Sequence, residues 1–282
     1  MREVSQTSAE TPRELIIEPG RSLGQYWRDL WRYRDLFWFL AWRDLLVHYK
    51  QTVIGVAWSV IRPLMTMVVL SFVFGRVAKL PSENAPYPIL VFSAMLPWQF
   101  FANALSESSS SLINNAPLIS KVYFPRLAIP TSAVVASFVD FLIAFGILLV
   151  MMLVYGVVPS PRMLLLPLFI LLAFGAAMGA GLWFAALNVR YRDFRYVVPF
   201  VIQFGLYLSP VGFSTKVVPQ HLRLAYAANP MVGVIDGFRW CILGHTTIWW
   251  PSVVLSLAIV SVLCASGVAY FRRTERTFAD VI

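Results

Sequence analysis

Charge is what this sequence has least of. Only 13% of its 282 residues are Asp, Glu, Lys or Arg, against 59% that are hydrophobic. With a mean hydropathy of +0.69, so few charges cannot cover a soluble surface. Cysteine is almost missing: Cys241 and Cys264 show no metal-ligand spacing, and Cys264 falls inside an apolar run, so neither a metal site nor a disulfide is expected. The three histidines, His48, His221 and His245, are scattered and supply no Ser-His-Asp arrangement. The dipeptide Gly-Lys never occurs, which excludes the phosphate loop GxxxxGK[ST]. Acidic residues do not cluster, since Asp140 stands alone among apolar neighbours and Asp193 sits among arginines, so no divalent-metal chemistry is expected. No secretory leader is recognisable, because residues 1–20 are polar and residues 26–42 are laced with arginine.

What the sequence does have is long apolar runs. A bilayer core of about 30 Å takes about 20 helical residues at 1.5 Å rise. Six runs meet or approach that length, at about residues 52–74, 89–105, 127–154, 163–187, 196–213 and 250–271. They are too long and too continuously apolar for the alternating strands of a barrel. The expectation is an all-α integral membrane protein with six transmembrane helices.

With an even number of spans both termini share a side. The loops on that side carry sixteen Lys and Arg and the opposite loops six, with Arg62 left inside a span. The positive-inside rule then puts both termini in the cytoplasm, and with them the turn "NVRYRDFRYVVPF", whose Arg190, Arg192, Asp193 and Arg195 anchor two spans. A second reading of that turn is contact with a soluble partner. The net charge of +9 is explained by anionic membrane lipid, with no nucleic acid required.

Residues 25–50, after a tail of residues 1–24, mix aromatics with arginines at near-helical spacing and read as an amphipathic interfacial helix. The transmembrane domain is expected over residues 51–273, followed by a tail of residues 274–282. Inside the first span, Arg62 reads either as a contact for an anionic group or as an interfacial arginine that snorkels; Asp140 is a candidate partner for it. After the second span a serine run lets a helix continue out of the bilayer, and "NNAPLISKVYFP" has the length of one short helix lying along the membrane. Gly175 and Gly179, four apart, permit close helix contact within one subunit or between two. Residues 215–246 read as a re-entrant pair of short helices, with a start at Asn229 and Pro230 that fits an N-cap followed by proline.

Four stretches in order, "RDLLVHYKQTVIGVAWSVIRPL", "LINNAPLISKVYFPR", "NVRYRDFRYVVPFVIQFGLYLSPVGFS" and "NPMVGVIDGFRWCILG", resemble the membrane subunit of type-2 ABC transporters that export polysaccharides, the group of O-antigen, capsule and teichoic-acid exporters. The resemblance implies a homodimer bound to two copies of a cytoplasmic ABC ATPase, which carries the ATP and Mg, and export of a polyprenyl-diphosphate-linked glycan across the bacterial inner membrane. It implies no catalysis in this chain. Asn115, Pro117, Leu118, Ile119, Ser120, Lys121 and Tyr123 then look like the coupling helix, and Arg190, Arg192, Asp193 and Arg195 like a secondary contact. Arg28, Arg32, Arg34 and Arg43 look placed to recruit the lipid diphosphate. A sugar chain has apolar ring faces, so an aromatic path suits it, and Trp58, Arg62, Trp98, Phe100, Phe101 and Tyr207 are the channel candidates, with helix packing as the alternative for each aromatic. Rival readings are export of a small hydrophobic drug or lipid, and a membrane-embedded enzyme acting on polyprenyl phosphates.

Overall fold

A computed structural model describes residues 33–50, 55–82, 85–121, 124–191, 193–244 and 246–278. Residues 1–24, Arg28, Arg32, Tyr123 and Arg192, named above, lie outside the described residues. The chain begins with α1, Arg34–Lys50, and then α2, Gly55–Leu70, which runs on as a π-helical stretch, Ser71–Val77. Next come α3, Tyr87–Asn114, the short α4, Ala116–Lys121, and α5, Ala128–Val154. A 3-10 turn, Pro161–Leu165, leads into α6, Leu166–Arg190, and α7 is Phe194–Leu208. Two more 3-10 turns, Thr215–Val217 and Gln220–Leu222, precede α8, Arg223–Tyr226, and α9, Pro230–Leu243. The last long helix is α10, Trp250–Thr274, closed by the 3-10 turn Glu275–Thr277. Among the described residues there is no strand.

Among the described residues five stretches are long and apolar enough to cross a membrane: Val60–Val77, Tyr87–Asn114, Ala128–Val154, Pro161–Arg190 and Trp250–Thr274. The run expected at residues 196–213 is instead a helix of 15 residues, which at 1.5 Å per residue covers about 22 Å, short of a bilayer core. It stops at Ser209, which is extended at φ −109 and ψ 149, because a residue preceding proline, here Pro210, is pushed out of the helical region. The helix of the second run continues through its serine run, as that run allows, and ends at Asn114. Its serines turn their hydroxyls back onto their own helix, as Ser109 donates to Ser106 O at 2.8 Å and Ser111 to Ser108 O at 2.7 Å, so a polar run stays helical at little cost.

The bundle is built around α3. Ile89, Leu90, Val91, Phe92 and Ala94 are fully buried, in one cluster with Phe169 of α6 and Phe238 of α9. A second buried cluster, at the opposite end of α3, joins Leu40 of α1, Leu112, Ile119 of α4, Leu127, Leu182 and Val189 of α6, and Phe271 and Phe278. The small-residue face of α6 packs within the subunit: a Cβ added at Gly179 would lie 2.8 Å from the Cys264 backbone N, and one at Gly267 would lie 2.7 Å from Gly179 O. Glycine lets these two backbones touch, which in lipid maximises dispersion contact.

The loop before α10 is tied down at one buried cation. Arg239 of α9, 3% exposed, donates to Leu90 O at 3.2 Å, Phe213 O at 2.6 Å and Val211 O at 2.9 Å. These carbonyls belong to the first turn of α3 and to the segment after α7, so the arginine fastens three parts of the chain and meets acceptors that water cannot reach. Helix α9 opens where its sequence dictates, with the Asn229 side chain accepting from Met231 N at 3.0 Å and Pro230 following it. It ends at Gly244, at φ 68, the left-handed cap that glycine adopts without strain.

Candidate functional site

Helices α1, α2, α3 and α5 line an open cavity of about 990 Å³. Its wall follows α3 from Phe92 to Asn115, a rise of about 34 Å at 1.5 Å per residue and so most of a bilayer's thickness. From Gln99 onward the α3 wall is polar at every helical turn, after the apolar Phe92, Met95 and Leu96: Gln99, Asn103, Glu107 and Ser111 stand four apart and share one face. Across from them are Arg43 and Asp44 of α1, Trp58 and Arg62 of α2, and Ser137 and Asp140 of α5. Polar side chains are expensive against hydrocarbon, so a stripe of them marks a face turned to water, cargo or another subunit.

Of the expected channel residues, the structure brings Trp58, Arg62 and Phe100 to this cavity. Arg62 lies on the same cavity as Asp140, which favours the lining role over snorkelling to an interface. Phe100 also belongs to an aromatic cluster, 5.7 Å from the Phe138 and Phe141 ring centroids. Trp98 and Phe101 do not reach the cavity; they contact each other at 5.7 Å, and Trp98 fills the space that the missing Cβ of Gly205 leaves on α7. Both are packing residues between α3 and α7. Tyr207 sits on α7, 65% exposed and away from the cavity. Gln99, Asn103, Glu107 and Asp44 were not singled out from the sequence; the four-residue spacing in "WQFFANALSESSSS" is the signal that carries the first three, and Asp44 has none.

Arg43 does more than line the wall. Its Nη2 donates to Asp44 Oδ1 at 2.7 Å and to Asn115 Oδ1 at 2.7 Å, and its Nε donates to Asp44 Oδ1 at 3.0 Å. Ser132 Oγ of α5 donates to the other Asp44 oxygen at 3.4 Å. Asn115 is the residue between α3 and α4, so this charge-assisted set joins α1 to the start of α4. Arg34, by contrast, is paired only loosely, with Asp35 at 3.7 Å in an exposed position, where an ion pair contributes little.

Helix α4 lies across the end of the bundle. Ile119 is buried in the second cluster while Pro117, Ser120 and Lys121 are exposed and Leu118 is half-buried. Its far side is held as well: Arg126 N donates to Glu275 Oε1 at 3.1 Å, and the Arg126 guanidinium to Glu275 O. The turn between α6 and α7 opens on the same end, because Val189 shares the cluster of Ile119. There Arg190, Asp193 and Arg195 are exposed, and the Arg190 guanidinium rests 5.4 Å from the Tyr191 ring centroid. Among the described residues no group of three or more His, Cys, Asp or Glu is placed to hold a metal ion.

Long apolar helices around a polar cavity, with a short helix laid across one end, define a multi-pass membrane protein that moves something or gates its movement. The profile of the ABC-2 type transporter family matches residues 35–243, and the chain belongs to that family, a membrane transport subunit. It is 28% identical over 250 residues to the O-antigen export system permease protein RfbA of Klebsiella pneumoniae, covering 88% of this chain and 95% of that one. It is also 28% identical over 263 residues to the protein of the same name from Myxococcus xanthus, covering 90% of this chain and 98% of that one.

Proposed function

We propose that this chain is the channel-forming permease subunit of an ATP-driven exporter that moves a lipid-linked polysaccharide of the O-antigen type across the bacterial inner membrane. The observation that carries the reading is similarity running along almost the whole of two relatives named for O-antigen export, in a chain whose longest cavity wall alternates amide, carboxylate and hydroxyl groups. Sugar chains present polar edges and apolar faces, and Trp58, Phe100 and Phe141 supply the matching apolar surface in the same cavity.

In this reading two copies of the chain bind two copies of a cytoplasmic ATPase, which holds ATP and Mg. Helix α4 docks on the ATPase through Pro117, Leu118, Ser120 and Lys121, with Ile119 anchoring it to the bundle. Arg190, Asp193 and Arg195 form the second contact, and both termini are cytoplasmic. Movement of α4 reaches α1 through Asn115 and Arg43, and reaches α10 through Arg126 and Glu275. A hydrophobic drug or lipid would draw nothing from the polar stripe of α3, which disfavours the rival export reading.

The experiment is to co-express the chain with its ATPase, purify the assembly, and follow ATP hydrolysis and vesicle uptake of a lipid-linked glycan. A two-plus-two complex whose hydrolysis rises with the glycan supports the reading. A chain that recruits no ATPase, or an assembly indifferent to glycan, refutes it.

A further inference from the structure

Residues 274–278, which the sequence presents as the start of a tail, are built into the bundle. After α10 the 3-10 turn Glu275–Thr277 leads to Phe278, which is 0% exposed and meets the Phe271 ring edge to face at 5.3 Å. The Thr274 and Thr277 hydroxyls donate to Tyr270 O at 2.9 Å and Thr274 O at 2.8 Å, which pins the turn to its own helix. Phe278 shares a buried cluster with Ile119 of α4 and with Phe124 and Leu127 on the stretch between α4 and α5. On that same stretch Arg126 is tied to the turn twice, its backbone N donating to Glu275 Oε1 at 3.1 Å and its guanidinium to Glu275 O. The helix that the turn closes is itself fixed to α6. Trp183 of α6 stacks on Tyr270 of α10, with ring centroids 4.3 Å apart, and its Nε1 donates to Ser266 Oγ at 3.0 Å. This is one turn along from the close approach of Gly179 and Gly267, so α6 and α10 form one packed body. Helix α6 ends at Arg190, where the charged turn at residues 190–195 begins.

Displacement passes between sites through continuous packing and hydrogen bonds. From α4 to α10 there are two such links, the cluster of Ile119 and Phe278 and the hold of Arg126 on Glu275, and both end at residues 275–278. We propose that this C-terminal turn is the positioning element that joins the two cytoplasmic contacts. Glu275 and Phe278 fix α4 and the start of α5 to the body of α6 and α10, so a displacement applied at α4 and one applied at residues 190–195 drive the same pair of helices. The inference rests on the exporter reading, in which α4 and that turn meet the ATPase, and names the residues that make their action common.

The test uses the full permease and ATPase assembly in vesicles and reads glycan moved per ATP hydrolysed, a ratio that does not change when a variant merely folds in lower yield. Glu275→Ala is expected to lower the ratio about fivefold, the net worth of one hydrogen bond. Glu275→Gln, whose amide oxygen still accepts from Arg126 N, is expected to keep it. Phe278→Ala is expected to lower the ratio at least as far as Glu275→Ala, and Phe278→Leu, which restores most of the apolar volume, to recover most of it. The ATPase should co-purify with each variant in unaltered stoichiometry, because the exposed side chains of α4 and of residues 190–195 are untouched. A ratio unchanged in both alanine variants overturns the inference. Loss of the ATPase from Glu275→Ala overturns it too, since the turn would then be a docking surface. Should Phe278→Ala fail to assemble, Glu275→Ala and its glutamine counterpart decide the matter alone. An unaltered assembly that hydrolyses ATP and moves no glycan overturns the exporter reading itself, a result distinct from a preserved ratio.

Discussion

Helices α2 and α3 are similar in apolar character and opposite in surroundings. The window in α3 is 78% buried inside the subunit, and that of Val60–Val77 is 11% buried. Hydropathy in the two differs little, at 1.4 and 1.7. Apolarity therefore says that a helix leaves water and does not say what it meets. Helix α3 meets α2, α5, α6, α7 and α9 on its sides and a cavity along one stripe. Helix α2 turns Met65, Val69 and Phe72 outward, at 57%, 59% and 56% exposure, to lipid or to another protein, while Trp58 and Arg62 look into the cavity.

Two tryptophans put that difference to its strongest test. Trp98 is 5% exposed and Trp58 is 60% exposed. Trp98→Ala should lower stability by about 3–5 kcal/mol, the cost of removing a large buried aromatic, read as an earlier thermal unfolding midpoint in detergent. Trp58→Ala should shift stability by no more than about 0.5 kcal/mol while slowing glycan transport. Equal destabilisation by the two would end the distinction between hub and outward helix.

Arg239→Met comes next. It removes a charged donor from three buried carbonyls, and a loss of about 3 kcal/mol is expected from groups that water cannot satisfy. Limited proteolysis should show the first turn of α3 and the segment after α7 loosening together, since Leu90 and Val211 share this donor. Loosening of α2 alone would place the tie elsewhere.

A smaller effect is expected where α3 passes force on. Arg43→Gln should reduce the glycan moved per ATP hydrolysed by about tenfold, the worth of one charge-assisted hydrogen bond. Asn115→Asp, which keeps an acceptor for Arg43, should retain most of it. An unchanged ratio in Arg43→Gln would show that α4 moves α1 by packing alone.

The smallest effect is a silent thiol. Burial is the larger influence on Cys241 and pushes its thiol up to about 11, with nearby Arg162 acting the other way. The raised value keeps it neutral at pH 7. Maleimide labelling of the native protein at pH 7 should leave Cys241 untouched, whereas Met65→Cys on α2 should label readily. Raising the pH toward 11 should increase labelling at Cys241, and labelling at pH 7 would show that the α9 region opens.

The helical nature of the long apolar runs follows from composition and periodicity, because a bilayer allows few ways to satisfy a backbone; their length does not, since the run expected at residues 196–213 is a helix of 15 residues. The N-cap at Asn229 is local as well, since it depends on the conformational preference of one or two residues, and the stop before Pro210 is equally local although the run was expected to pass through it to residue 213. Arg62 and Trp58 could be singled out in advance because charge and indole stand out in an apolar segment. Trp98 and Phe101 could not be told from them, since an aromatic has the same spacing whether it lines a path or packs on Gly205.

Sequence by itself thus determined that the chain is an all-helical membrane protein, and where its short amphipathic pieces begin. Only the tertiary structure decided which faces are inside: that Gln99, Asn103 and Glu107 form one wall, and that Arg43 reaches Asn115 across 72 positions of sequence. The physical reason is range. Helix formation and membrane partition are settled by neighbours within a turn or two, whereas the sharing of a donor or a cavity depends on how separate helices pack, and the same apolar surface can satisfy lipid or protein.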